Sequence, residues 1–442
     1  MPFSRRNFLR NTTIATVGAG ITASVPMEVL ASLRKRISPG KKINVGLIGC
    51  KGQGWSNLTS MLKLPEVNCV ALCDIDDAIL EGRKADLEKI NIRPTLYKDY
   101  RKLLENKDVD AVIIATPDHW HCLQMIEACA AGKDVFTEKP LANSIIEAQL
   151  MVKAAKQYNR VVQVAQWQRS QDHFKNAIAF VQSGKLGKIT MTKTWMYRNG
   201  STPLTIVPDS VVPAGVDYDK WLGPAEKRTF NKNRFHYEFR WFWDYAGGLM
   251  TDWGVHLIDM VLMGMNVDVP VSVVASGGKF VFPDDARETP DTQTVVYDYG
   301  NFQMTWEHTL GFGNGNYGLQ HGIAFLGENG TLVLNRSGWD VRPEKNKEVP
   351  KMEAVAWQPR TDVGLDKHTA NFISVVQSRK LEDLNCPIEA GAKVAINAHM
   401  GNIAQRTGEK IFWDKEKNKF TSSKANALLV SPYKNGYKLP KL

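Results

Sequence analysis

Ile43-Asn44-Val45-Gly46-Leu47-Ile48 runs directly into Gly49-Cys50-Lys51-Gly52-Gln53-Gly54, and that junction decides the fold. The first six residues, mostly apolar, read as a short buried strand, and residues 55–64 read as a helix. A glycine turn between strand and helix suits a dinucleotide. The backbone can approach a pyrophosphate closely, and the helix amino end offers N–H groups and a favourable dipole. A strict G-x-G-x-x-G would have glycine at 51, where Lys51 stands. Gly49, Gly52 and Gly54 then share the turn, with Gly52 giving the close approach and the Lys51 ammonium beside the phosphates. The competing reading is a glycine turn that holds no ligand.

Outward from the turn, residues 67–72 form a second strand that ends before Asp74. An acid at that place hydrogen-bonds adenosine ribose hydroxyls and repels a 2′-phosphate, which favours NAD over NADP. Its other reading is the cap of the next helix. Apolar strands at 111–115, 134–137 and 161–165 alternate with helices at about 78–90, 120–131 and 144–157, which implies parallel βαβ units. Beyond Gln166 the pattern turns to alternating strands at 189–197, 271–276, 292–299 and 302–310. Glu328-Asn329-Gly330 reads as a hairpin turn. The expectation is an α/β protein with an N-terminal NAD(P)-binding Rossmann domain over 37–165. A C-terminal α+β domain with an open, largely antiparallel sheet follows over 166–413, and then a polar, peripheral tail over 414–442.

The chain of 442 residues carries a net charge of +10. Residues 1–42 hold eight Lys/Arg against Glu28 alone, so the remainder carries only +3. A nucleic-acid binder is excluded by that location. Arg5-Arg6 ahead of an Ala/Gly/Thr-rich stretch resembles a twin-arginine export signal over residues 1–36, which implies a periplasmic or otherwise exported protein. That stretch is too short to span a membrane comfortably, so no integral segment is expected. The six cysteines are scattered and read as buried thiols, with no zinc spacing.

Three further segments narrow the reading: Ala115-Thr116-Pro117-Asp118-His119-Trp120-His121, Thr137-Glu138-Lys139-Pro140, and Gly247-Gly248-Leu249-Met250-Thr251-Asp252-Trp253-Gly254-Val255-His256. With the glycine turn, they resemble the glucose-fructose oxidoreductase, inositol dehydrogenase and MocA family (Gfo/Idh/MocA). Trp221-Leu222-Gly223-Pro224 and the aromatic run at 240–245 are similar to its exported, sugar-related branch. The resemblance implies hydride transfer at a sugar or polyol carbon, NAD as cofactor, and a homo-oligomer built on the C-terminal sheet. It places Lys139 beside the nicotinamide and the substrate hydroxyl, and matches Asp252 and His256 to the family's Asp-x-x-x-His pair.

The chemistry asks for such a set. Removing a hydroxyl proton as hydride leaves requires a base titrating near neutrality, and histidine suits it. Asp252 and His256, four apart, share one face of a helix, where the carboxylate can orient the imidazole. Thr116, Pro117, His119, His121, Glu138 and Gln166 are expected at the cofactor, and Arg169, Tyr197, Arg240 and Trp253 at the substrate. His119 and His121 lack the partners of a metal site, and none is expected. The leading expectation is an NAD-dependent oxidoreductase acting on a sugar or glycoside, with tightly held cofactor. The alternative is redox-neutral glycoside cleavage by transient oxidation and elimination. A non-catalytic sugar-binding protein is the third reading.

Overall fold

The computed structural model describes residues 42–442. The twin-arginine segment lies outside the described residues. The first sheet comprises β1 (Ile43–Ile48), β2 (Val67–Cys73), β3 (Thr95–Tyr97), β4 (Ala111–Ile114), β5 (Asp134–Thr137) and β6 (Val162–Val164). Its order is β3-β2-β1-β4-β5-β6, with every pairing parallel. The winding reverses between β1 and β4, so a crevice opens at the carboxyl ends of those strands. Helices α1 (Gly52–Met61), α2 (Asp77–Glu88), α3 (Tyr100–Glu105), α4 (Asp118–Ala130) and α5 (Ile145–Gln157) connect the strands. Sheets covered on both faces need apolar strands, and all four residues of β4 are fully buried.

Asp76 caps α2, its carboxylate accepting from the N–H groups of Ala78 and Ile79 at 3.0 and 3.4 Å. The capping alternative for Asp74 is thus filled by its neighbour.

Helix α6 (Asp172–Gln182) leads into the second sheet at β7 (Ile189–Tyr197), and the short α7 (Tyr218–Leu222) and α8 (Val255–Met265) follow. The remaining strands are β8 (Ser272–Gly278), β9 (Thr292–Asp298), β10 (Gln303–Thr309), β11 (His321–Gly327), β12 (Gly330–Asn335), β13 (Gly338–Pro343), the small β14 (Lys345–Asn346) and β15 (Val349–Pro350) pair, β16 (Val355–Pro359), β17 (Ile411–Asp414) and β18 (Lys419–Phe420). Ten of these form one sheet, ordered β16-β13-β12-β11-β7-β10-β9-β8-β17-β18, antiparallel except where β7 meets β10. The expected hairpin sets Leu326 opposite Thr331. One face packs Met196, Ile323 and Leu334 into a core with α8, while Trp195 and Tyr197 cluster on the other face.

Helices α9 (Gly364–Ser378) and α10 (Ile388–Thr407) return to the first domain. Ser60 of α1 and Lys63, just beyond its end, bond Asp366 at 2.7 and 2.6 Å, and the Phe372 ring stands 5.6 Å from that of Phe136. Ala392 and Ala395 join the core around β5 and β6. The domains therefore share apolar cores on either side of the cleft.

The tail is not peripheral. Ile146 N–H donates to Leu429 O at 3.0 Å, and Tyr433 Oη donates to Glu147 Oε1 at 2.6 Å. Asn435 Nδ2 donates to the carbonyls of Gly223 and Ala225 at 2.8 and 2.9 Å. Tyrosines bury a ring while keeping a polar tip, so a segment of polar composition still binds a surface.

Candidate functional site

The crevice is built first by its glycines. A Cβ at Gly49 would stand 2.6 Å from the Ala115 carbonyl oxygen, and one at Gly54 would stand 2.0 Å from that of Gly49. These two hold strand and helix together. Gly52, at φ +45°, has nothing within 4 Å of where its Cβ would stand, so its backbone faces open space. Lys51 is extended (φ −92°, ψ 159°) with an exposed side chain, and the positive φ moves one residue on, to Gly52. The first turn of α1 has no acidic residue to occupy its N–H groups. Asp74 Oδ2 accepts from Cys50 N–H at 2.8 Å and Oδ1 from Asp76 N–H at 3.2 Å, while burial pushes its carboxyl up.

A cleft of about 410 Å³ begins at this turn. One wall holds Gly49, Lys51, Gly52, Asp74, Thr116, Pro117, Glu138 and Lys139; the other holds Trp221, His236, Tyr237, Arg240, Thr251 and Asp252. The open cradle at Gly52, the unclaimed helix end and the acid at 74 fit a dinucleotide, with Gly49 to Gly54 for its phosphates and Asp74 for its ribose.

At the far end, Lys139 Nζ donates to Asp252 Oδ1 at 2.7 Å and to the Asp252 carbonyl at 2.8 Å. Arg240 Nε reaches the same Oδ1 at 3.4 Å. Burial raises the Asp252 pKa, but Lys139 and Arg240 outweigh it and hold the group ionised, well below the usual range. Glu138 is buried and accepts from Asn57 Nδ2 at 2.7 Å. Asp118 is pushed up to about 7 by burial.

His256 lies in the first turn of α8, its ring 6.2 Å from that of Trp167 and 6.4 Å from that of Trp253. Burial first, then Lys139 and Arg336, push its pKa well below the usual value, so the imidazole is neutral. Its Nδ1 is buried without a hydrogen-bond partner among the described residues. The neutral ring leaves Nδ1 free to accept a hydrogen bond from a hydroxyl, and its lowered pKa departs from the near-neutral base that the sequence suggests. Asp252 stands on a π-helical turn, Met250–Gly254, ahead of α8. Its carboxylate bonds Lys139 and Arg240, so the expected orientation of His256 by this carboxylate gives way to orientation of Lys139.

Trp253, expected at the substrate, stands beside His256 just outside the residues that line the cleft, and five other expected contacts are placed elsewhere. His119 packs against Trp221 and Tyr245 with Nε2 3.1 Å from the Trp221 carbonyl, and His121 bridges the carbonyls of Pro140 and Thr116 at 2.8 Å each. Both are on α4, which turns them from the cleft lining into the core. Gln166 donates to Val255 O at 3.4 Å, tying the domains behind the site, with Oε1 buried and unpartnered. Arg169 is committed to a buried two-bond pair with Asp259 at 2.8 and 2.7 Å. Tyr197 projects from the sheet face opposite α8 and donates to Glu307 at 2.6 Å. Two residues that the sequence does not single out also stand here: Tyr437 reaches the cleft from the tail, and Arg336, which follows β12, acts on His256 through its charge. For Arg336 the one signal was its place at the hairpin end opposite His321.

Fold and site together define a two-domain, dinucleotide-binding oxidoreductase. Two family models match: "Oxidoreductase family, NAD-binding Rossmann fold" over residues 43–166, and "Oxidoreductase family, C-terminal alpha/beta domain" over 173–301. The chain belongs to the Gfo/Idh/MocA oxidoreductases, and its cofactor is NAD. It is 35% identical over 167 residues to a glycosyl hydrolase family 109 protein of Shewanella sp. strain W3-18-1, covering 34% of this chain and 36% of that one. The match thus spans about a third of that relative. It is 26% identical over 308 residues to the uncharacterised oxidoreductase YrbE of Bacillus subtilis, 67% of this chain and 75% of that one. The WlbA dehydrogenase of Bordetella pertussis, solved with NADH and UDP-GlcNAcA, shares the fold at TM-score 0.61 and 18% identity, covering 84% and 99% of the two chains. Levoglucosan dehydrogenase, solved with NADH and levoglucosan, does so at 0.62, 18%, 84% and 99%. Among the described residues, no helix is long and apolar enough to cross a membrane.

Proposed function

We propose that this protein oxidises a hydroxyl carbon of a sugar or glycoside, with NAD retained through turnover. The observation that carries the proposal is the neutral His256, its Nδ1 unpartnered and its ring within the field of the paired Lys139 and Asp252. His256 Nδ1 takes the hydroxyl proton, and the Lys139 ammonium holds the oxygen as charge develops on it. Asp252 keeps the ammonium in place and charged. Bound NAD supplies hydride acceptance, or its return, at the carbon. Trp167 and Trp253 flank the buried imidazole and shield it from water.

The glycosidase relatives support a second reading, in which hydride returns after elimination and water addition, so that net hydrolysis follows. The two separate on products: incubating the purified protein with a glycoside panel yields a ketone in the first case and a released aglycone in the second. Neither product from any member sinks both.

Export by the twin-arginine route is supported by Arg5-Arg6 and the small-residue stretch that follows. Cell fractionation of wild type and an Arg5→Lys/Arg6→Lys variant tests it. Homo-oligomerisation on the open sheet face is supported by the aromatic group of Trp195, Tyr197 and Phe312 there, the last 54% exposed. Sedimentation checks it.

A further inference from the structure

Beside His256 stands a cation with no carboxylate of its own. Arg336, just after β12, places its guanidinium carbon 4.4 Å from the Trp253 ring centroid and 4.7 Å from that of Trp167. These are the two rings that flank His256. Extending the β11–β12 register by two residues sets Arg336 opposite His321, whose ring lies 5.1 Å from Trp253. Arg336 Nε donates to Gln168 Oε1 at 3.2 Å. The two terminal nitrogens make no hydrogen bond among the described residues, although the side chain is only partly exposed.

Charge around the site is unbalanced. The carboxylate whose field reaches Arg336 is Asp252, and it is already held by Lys139 and Arg240. Asp118, at about 7, is half neutral at that pH. Arg169 and Asp259 neutralise each other. Burial lowers the Arg336 pKa to about 10, with only the distant charge of Asp252 opposing it. A guanidinium left with its two-nitrogen fork free, its sides covered by indoles, suits a planar carboxylate held by two parallel bonds.

We infer that Arg336 is a specificity residue and that the substrate is an acidic sugar, a uronic acid or its glycoside, whose carboxylate sits on the Arg336 fork while a ring hydroxyl faces His256. This deepens the oxidoreductase reading and rests on it. Glu138 and Asp252 both act on Lys139 and Arg240, so the cation left without a partner carboxylate is Arg336, and the sugar acid supplies one. His321, with Nε2 buried and unpartnered, stands beside Trp253 on the same side as Arg336.

The test is calorimetric titration of the full-length, NADH-loaded protein with matched pairs, each hexuronate against its parent hexose, and with the hexose 6-phosphate. The expected result is a uronate bound at least about ten-fold more tightly than its hexose, as for a charge-assisted pair. Arg336→Gln should bring that ratio close to one while NADH binding persists, and Arg336→Lys should restore it in part. Equal affinities in the wild type, tighter binding of the phosphate, no uronate bound at millimolar concentration, or a preference that survives Arg336→Gln each overturns the inference. A uronate preference without any hydride transfer supports the acid site and counts against the oxidoreductase reading. Hydride transfer with hexose and uronate equally bound does the reverse.

Discussion

Lys139 Nζ holds both the carboxylate and the backbone carbonyl of Asp252, at 2.7 and 2.8 Å, so one ammonium joins the turn after β5 to the π-helical turn of the other domain. The two side chains act as a unit. Replacing Lys139 by alanine should lower kcat by about 10²- to 10³-fold, the usual loss on removing one donor to a developing oxyanion. Asp252→Ala leaves the ammonium unheld and should lose nearly as much. The double variant should be little worse than Lys139→Ala alone, because residues of one unit are not additive. Steady-state kinetics on the four proteins checks this; losses that multiply would show two independent roles.

All nine histidines have pKa values lowered by burial, five of them to about 4: His119, His308, His321, His368 and His399. An unfolded histidine binds its proton below about pH 6.5, and the folded one does so only at lower pH. The unfolded state therefore binds more protons in that window, and stability falls as pH drops from about 6.5 towards 4. Asp74, Asp118, Glu138, Glu147 and Asp259, whose pKa values are raised, act in the opposite sense but are fewer. The urea midpoint should be lower at pH 5 than at pH 7.5, with about 1.4 kcal/mol lost per pH unit for each net proton taken up. A midpoint unchanged between those pH values would refute the balance.

The parallel sheet was legible because each of its strands is a short apolar run closed by a turn or helix start, a pattern that depends on nearest neighbours in sequence. The glycine turn was legible for the same reason, although only the backbone at Gly52 shows how the turn manages with Lys51. Side-chain roles were less so. Arg169 and Tyr197 carry suitable chemistry, but their partners Asp259 and Glu307 lie 90 and 110 residues away, so sequence gave no sign that they are occupied. Arg336 was overlooked for the converse reason: its significance is a missing partner, and an absence appears only when the neighbours are in place.

Gly54 and Gly52 are two residues apart and should respond differently to alanine. At Gly54 the new methyl meets a backbone oxygen at 2.0 Å and the Ala115 Cβ at 2.9 Å, so strand and helix must separate. At Gly52 the space is open, and only the left-handed backbone opposes alanine, at about 1 kcal/mol. Thermal unfolding should show Gly54→Ala destabilised by more than about 2 kcal/mol and Gly52→Ala by about 1. NADH affinity should fall in Gly52→Ala despite its near-normal stability, because the methyl would occupy the space reserved for phosphate. Equal stabilities would mean that Gly54 is not a packing position.

Tyr437 closes the cleft from the tail. Its ring meets that of Trp120 edge-on at 5.3 Å, the Arg101 guanidinium carbon lies 5.6 Å from its centroid, and it lines the cleft itself. Trp120 in turn donates to the carbonyl of Trp221 on the opposite wall at 3.0 Å. The tail thus braces the rim where both domains meet. An edge-to-face pair is worth about 0.5–1.5 kcal/mol beyond the area it buries. If opening must break it, Tyr437→Ala should release NADH about two- to ten-fold faster, with hydride transfer within the bound complex unaltered. Tyr437→Phe should behave as wild type, since the ring and not the hydroxyl makes the contact. Stopped-flow displacement of NADH measures the rates. An unchanged release rate in Tyr437→Ala would mean that the rim opens without moving the tail.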